Sequence, residues 1–301
     1  MKEYILENKY LKVIFLDYGA VIHQLWIKDE DRLPINVING LETPKAYLED
    51  DWSRGAIIGR FAGRLENPIH IDGIPFEIEH KEGVLLHSGI SGWNSKIWGV
   101  TKDIEKHMLH FSYTCPSQSS GFPGEVKAII TYSIKGRNLH IEYNATTTES
   151  THINLTNHTY FNINPSGKID AQLLCIESKE MLLLKNTLVP TGHKKILKNT
   201  SFDYQVPKLI GEKSLDDYFV LNTSAEKAAS IYSPHSGIEM KIYTNQPGVV
   251  VFTPSHFEAI CFETQKFSNT PNIDSFPSTL IKPGELYNHK TCFEFNLKND
   301  G

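Results

Sequence analysis

Short stretches that alternate apolar and polar residues recur along nearly the whole chain, and none of them sustains the 3.6-residue period of a long helix. Residues 11–15, 108–113, 128–134, 139–144, 240–243 and 291–297 all alternate with period two, as half-buried strands do. Turn residues separate them: Asp17-Tyr18-Gly19, Asp72-Gly73, Lys135-Gly136-Arg137-Asn138, and Asn245, Pro247 and Gly248. Residues 76–80 alternate after the Asp72-Gly73 turn and are expected to form another strand. Pro44–Glu49 is expected to begin a short helix, with Thr43 as its cap and Pro44 at the first helical position. Many short strands at near-regular spacing predict a large all-β sandwich with few short helices. No low-complexity linker, charge block or short repeat marks a boundary in the 301 residues, so residues 1–301 are expected to form a single domain.

Charge and cysteine usage narrow the partners. The net charge is −5, so no basic field calls for nucleic acid or an anionic membrane. The first residues lack the apolar core of a signal peptide, and no run approaches the roughly 18 apolar residues of a membrane span. Cys115, Cys175, Cys261 and Cys292 form no C-x-x-C pair, and Cys175 and Cys261 sit inside apolar runs. Buried free thiols in a reducing cytoplasm are the expectation.

Several polar residues stand where chemistry is possible. His158 lies in Asn154-Leu155-Thr156-Asn157-His158-Thr159-Tyr160-Phe161-Asn162. It reads either as a general acid or base near neutral pH or as a histidine satisfied by its polar neighbours. Glu263 closes the apolar run 259–262; burial there would raise its pKa toward that of a useful base, whereas a strand-end glutamate facing water would do nothing. His87, in Leu85-Leu86-His87-Ser88-Gly89 with Trp93 and Trp98 following, suits a sugar site in which aromatic faces stack on C–H surfaces; core tryptophans and a turn histidine fit equally. Arg60 and Arg64 flank Phe61-Ala62-Gly63 and can bind hydroxyls or a carboxylate, or pair structurally with Glu66 or Asp72. Asp216 and Asp217 form an acidic pair, read as ligands or as a solvated turn. Gln246 sits in the turn 244–248 and is a ligand candidate or a turn residue. The thirteen histidines are dispersed, with no H-E-x-x-H or repeated C-x-x-C, so no metal site is expected.

Taken in order, these stretches resemble the aldose 1-epimerases, or galactose mutarotases. The likeness runs from residues 55–64 through Leu86-His87-Ser88-Gly89 and Thr156-Asn157-His158, then Asp216 and residues 244–248, to Glu263-Thr264-Gln265, residues 267–272 and Pro283-Gly284. It implies a β-supersandwich with a shallow sugar cleft and a cofactor-free mutarotase acting on free hexoses such as galactose or glucose. By the same resemblance Glu263 matches the general base on the C1 hydroxyl, and His158 the general acid on the ring oxygen. His87 matches the second histidine, Asp216 and Arg64 match residues that hold the sugar, and Gln246 matches a further sugar contact. Asn157 and Tyr160 are expected to support His158 through hydrogen bonds.

Two positions depart from the family pattern: Gly63 stands where many members carry Asn, and Asp217 where many carry His after the aspartate. A hexose-6-phosphate 1-epimerase remains an alternative, with Arg54, Arg60 or Lys266 as phosphate partners. So do a sugar-binding protein without turnover and a glycosidase, which would need a second carboxylate beside Glu263.

Overall fold

The computed structural model describes residues 1–164, 167–212, 214–222 and 224–298. Among these the chain forms 27 strands and five short 3₁₀ turns. The alternating stretches become long antiparallel strands because each has one apolar and one polar face. Val126–Lys135 and Asn138–Thr147 pair along their whole length around Gly136-Arg137, and Ile69–Ile71 pairs with Ile74–Phe76 around Asp72-Gly73.

A nine-stranded sheet runs in the order Gly99–Asp103, Met108–Cys115, Val126–Lys135, Asn138–Thr147, Tyr287–Leu297, Ile238–Thr244, Ala229–Tyr232, Leu173–Ile176 and Lys208–Leu209. A six-stranded sheet has the order Tyr160–Phe161, Ile260–Gln265, Gly248–Phe252, Asp216–Leu221, Ser178–Leu184 and Pro190–Ile196. The main core gathers the inner faces of both: Phe111, Ile130, Ile242 and Phe293 from the first, Phe219, Val251, Ile260 and Phe262 from the second. Phe161 and Phe293 meet across it with ring centroids 5.0 Å apart. This is the expected all-β supersandwich with short helical turns. The opposite face of the six-stranded sheet is left to build the site.

Two local expectations are corrected. Pro44–Glu49 is a 3₁₀ turn with Pro44 in its first turn, but the Thr43 side chain makes no capping bond. The strand after Asp72-Gly73 ends at Phe76 rather than His80. Its continuation leaves the ladder because the Ile78 N–H donates to the Asn67 side chain at 2.7 Å and the Glu79 N–H to the Ser120 carbonyl.

Candidate active site

The outward face of the six-stranded sheet forms the floor of a cleft. Alternation on three adjacent strands puts Asp216 and Tyr218, Val250 and Phe252, and Glu263 and Gln265 on that face. Register sets Glu263 opposite Val250, and Val250 opposite Tyr218. Trp52, Arg64, His87, His158, Tyr160 and Ser268 complete the walls of a space of about 270 Å³, at the small end for ligand pockets.

Glu263 is not a strand-end residue. It lies within Ile260–Gln265, in which every residue is buried, and is itself 3% exposed. Burial pushes its carboxyl up to about 8; the nearby Asp216 charge adds to this and Arg64 opposes it. Its Oε2 has no hydrogen-bond partner among the described residues, so that oxygen is available to a ligand hydroxyl. His158 follows Thr156–Asn157, which pairs with Ile57–Ile58. The backbone of His158 is fixed by its N–H on the Ala56 carbonyl and by the Gly55 N–H on its own carbonyl. Its Nε2 stands 3.4 Å from Glu263 Oε1, and burial holds the imidazole down at about 4. On the other side of the ring Nδ1 is 3.5 Å from Cys261 Sγ. A thiol both donates and accepts weakly, so it suits either tautomer of the ring.

His87 approaches from a different element. Its backbone is left-handed (φ 51°), as is that of Ser88 (φ 66°). Such conformations cost energy in non-glycine residues and gather at functional sites. The Gly63 N–H donates to His87 Nδ1 at 3.2 Å, and the His87 N–H to the Gly63 carbonyl at 3.1 Å. With Nδ1 accepting, the neutral ring carries its hydrogen on Nε2 and presents a donor there. Burial, with His158 and Arg64 nearby, lowers its pKa well below 6.5. The His87 and His158 rings meet edge to face, centroids 5.5 Å apart. Arg64 and Asp216 pair at 3.6 Å; burial raises Asp216 above its ordinary value while Arg64 opposes that shift.

Among the described residues, His87, His158 and Glu263 also form the one group placed to hold a metal ion, their ligand atoms lying within 4.8 Å of one another. The Gly63–His87 hydrogen bond works against that use, because a protonated Nε2 offers no lone pair.

Five of the six sequence-derived site residues, Glu263, His158, His87, Asp216 and Arg64, line this cleft. Gln246 does not. It precedes the strand Gly248–Phe252, donates from Nε2 to Asn245 Oδ1, and borders a separate depression with Asn222 and Lys227; the residues which that strand sends into the cleft are Val250 and Phe252. Of the acidic pair, Asp216 lines the cleft and Asp217 does not. Trp93 and Trp98 are core residues, and the tryptophan at the cleft is Trp52, stacked on Phe252 at 6.3 Å. Arg60 pairs with neither Glu66 nor Asp72. It is buried and donates to the carbonyls of Phe122, Pro123 and Pro116. Asn157 and Tyr160 do not hydrogen-bond the His158 ring: Asn157 donates to the Gly55 carbonyl, and the Tyr160 hydroxyl to the Trp52 carbonyl at 3.2 Å. Tyr160 supports His158 by ring contact instead, centroids 5.0 Å apart.

Sequence reasoning missed Trp52, Tyr218, Val250, Phe252, Gln265 and Ser268. The period-two rule, once Asp216 and Glu263 were in hand, would have found Tyr218 and Gln265.

Fold and cleft together define an all-β isomerase acting on a small sugar. The chain belongs to the aldose 1-epimerase family, whose model matches residues 2–294. It is 32% identical to a galactose mutarotase of Homo sapiens over 99% of this chain and 94% of that one, and 26% identical to an aldose 1-epimerase of Escherichia coli K12 over 96% and 93%. It superposes on the crystal structure of an aldose epimerase homologue from C. elegans with a TM-score of 0.92, 26% identity, and coverage of 99% and 100%. The chain is accordingly an isomerase with aldose 1-epimerase function.

Proposed function

We propose that the chain interconverts the α and β anomers of free hexoses such as D-galactose and D-glucose, with Glu263 and His158 as the reacting pair. The observation that carries this reading is the 3.4 Å approach of His158 Nε2 to Glu263 Oε1 on the buried floor of a cleft sized for one monosaccharide. Glu263 removes the proton from the C1 hydroxyl, the C1–O5 bond breaks, and His158 delivers its proton to the ring oxygen. The open-chain aldehyde turns about C1–C2, and the reverse transfers close the ring on the other face. His87 Nε2–H donates at the ring oxygen, and Asp216 and Arg64 hold hydroxyls. The reaction asks only for a pair that shares one proton. Burial opposes both the carboxylate and the imidazolium, so between about 4 and about 8 that proton rests on Glu263 and crosses the 3.4 Å gap to His158 Nε2 before Glu263 accepts the C1 proton. A positioned acid and base each contribute roughly 10²–10⁴-fold, and holding the ring in register adds to this.

Free sugars are favoured over hexose 6-phosphates by charge. Arg64 is the sole lysine or arginine among the described residues lining the cleft, which also carries Asp51 and Asp216. Arg54 is engaged with Asp50 and the Phe257 ring, and Lys266 with the Ser278 carbonyl. The continuity of the main core from Leu6 to Phe295 supports one domain, and four free thiols support a cytoplasmic setting. The test is optical rotation of freshly dissolved α-galactose and α-glucose. The protein is expected to speed the approach to equilibrium, and a rate equal to that of buffer for both sugars refutes the assignment.

A further inference from the structure

We propose that Ser268 and Gln265, drawn together beside Gly63, form a hydroxyl-recognising corner of the cleft that selects among hexoses by the ring substituents farthest from the anomeric carbon. This rests on the anomer-exchange reading above and deepens it.

The corner exists because position 63 has no side chain. Gly63 is left-handed (φ +82°), and a Cβ there would lie 2.0 Å from Ser268 Oγ and 3.9 Å from Gln265 Nε2. Ser268 therefore occupies the volume that a side chain at residue 63 would take. Its position is fixed on both sides. The Lys266 N–H donates to Asn154 Oδ1 at 2.9 Å, and the Glu66 N–H donates to Asn269 Oδ1 at 3.0 Å. Ser268 lines the cleft.

Gln265 supplies the second, independent observation. Its side chain is fully buried, yet neither Oε1 nor Nε2 has a hydrogen-bond partner among the described residues. A buried amide with both ends unpaired costs stability, and that cost is offset when a ligand brings both a donor and an acceptor. A sugar hydroxyl is both. Gln265 lies two residues beyond Glu263 on one strand face, so the two are about 7 Å apart along the sheet. That separation matches the reach across a pyranose from the anomeric oxygen to the hydroxyls on the far side of the ring. With C1 at Glu263 and His158, the Gln265–Ser268 corner meets those far hydroxyls, whose axial or equatorial setting distinguishes one hexose from another.

Steady-state anomer exchange on galactose, glucose and their far-side deoxy analogues tests this with wild type, Ser268→Ala and Gln265→Leu. Each variant is expected to raise KM for the preferred hexose by roughly 3- to 10-fold, the worth of one or two hydrogen bonds, with kcat within about twofold. The wild-type preference between galactose and glucose should shrink, and the deoxy analogue that wild type penalises should no longer be penalised by the variant. Gln265→Leu should keep or raise the melting temperature, which a structural role for the amide would not allow. Unchanged KM ratios in both variants, or a lower melting temperature for Gln265→Leu with unchanged ratios, overturns the proposal. If wild type is active while these ratios stay fixed, the corner fails and the anomer-exchange reading survives; if wild type is inert, that reading fails first.

Discussion

His158 Nε2 and Glu263 Oε1 lie 3.4 Å apart with their side chains 8% and 4% exposed. An acid and a base this close and this dry are better described as one unit holding zero, one or two protons than as two separate groups. Burial moves Glu263 up to about 8 and His158 down to about 4, so the one-proton state spans the range between.

The pH profile of kcat/KM follows. Below about 4 both groups are protonated and no base remains; above about 8 both are deprotonated and no acid remains. After subtraction of the uncatalysed rate, activity should rise through the lower value, stay level across neutral pH and fall through the upper one. Activity undiminished well above pH 8 would contradict it.

Stability should show the same carboxyl. The folded-state pKa of Glu263 is raised from 4.5 to about 8, so between those values the folded chain keeps a proton that the unfolded chain has lost. The stabilisation is complete below the lower value and disappears as pH rises through the upper one. Glu263→Gln removes this dependence. Its melting temperature should exceed that of wild type by roughly 3–8 °C near pH 9, with a smaller difference near pH 5. Parallel melting curves across that range would refute the raised pKa.

The two arginines should separate by readout. Arg60 is buried and satisfies three backbone carbonyls, so Arg60→Met should leave them unpaired and cost on the order of 3 kcal/mol of stability. Arg64 lines the cleft beside Asp216. Arg64→Met should raise KM about tenfold or more with little change in melting temperature. Denaturant titration and steady-state kinetics on both variants distinguish these roles.

Charge in the cleft sets a preference against phosphorylated sugars. A coupled assay should give a kcat/KM for glucose 6-phosphate at least roughly tenfold below that for glucose, because Asp51 and Asp216 outnumber Arg64. Equal values would show that the phosphate finds a cation elsewhere.

The strands that sequence alone located, such as Val126–Lys135 and Asn138–Thr147, are those whose pattern is purely one of burial. What it misplaced depends on register or on side-chain contacts with the backbone. Gln246 and Val250 are four residues apart, and only the pairing of Val250 with Glu263 and Tyr218 decides which one reaches the cleft. The end of the strand at Phe76 depends on a bond from Ile78 to the distant Asn67 side chain, which no local period reveals. His158, Glu263, His87, Asp216 and Arg64 were legible as a set through the order of their motifs. Gln265 and Ser268 were not, since their significance lies in an amide left without partners and in the space beside Gly63.

The central claim is that Glu263 and His158 move the protons. Its most direct test is anomer exchange of α-galactose and α-glucose, followed by polarimetry, with wild type, Glu263→Gln and His158→Gln at equal concentrations of folded protein. Wild type should accelerate exchange, and each substitution should lower kcat by roughly 10²–10⁴-fold while the protein still binds sugar. Variants that retain the wild-type rate would contradict the account.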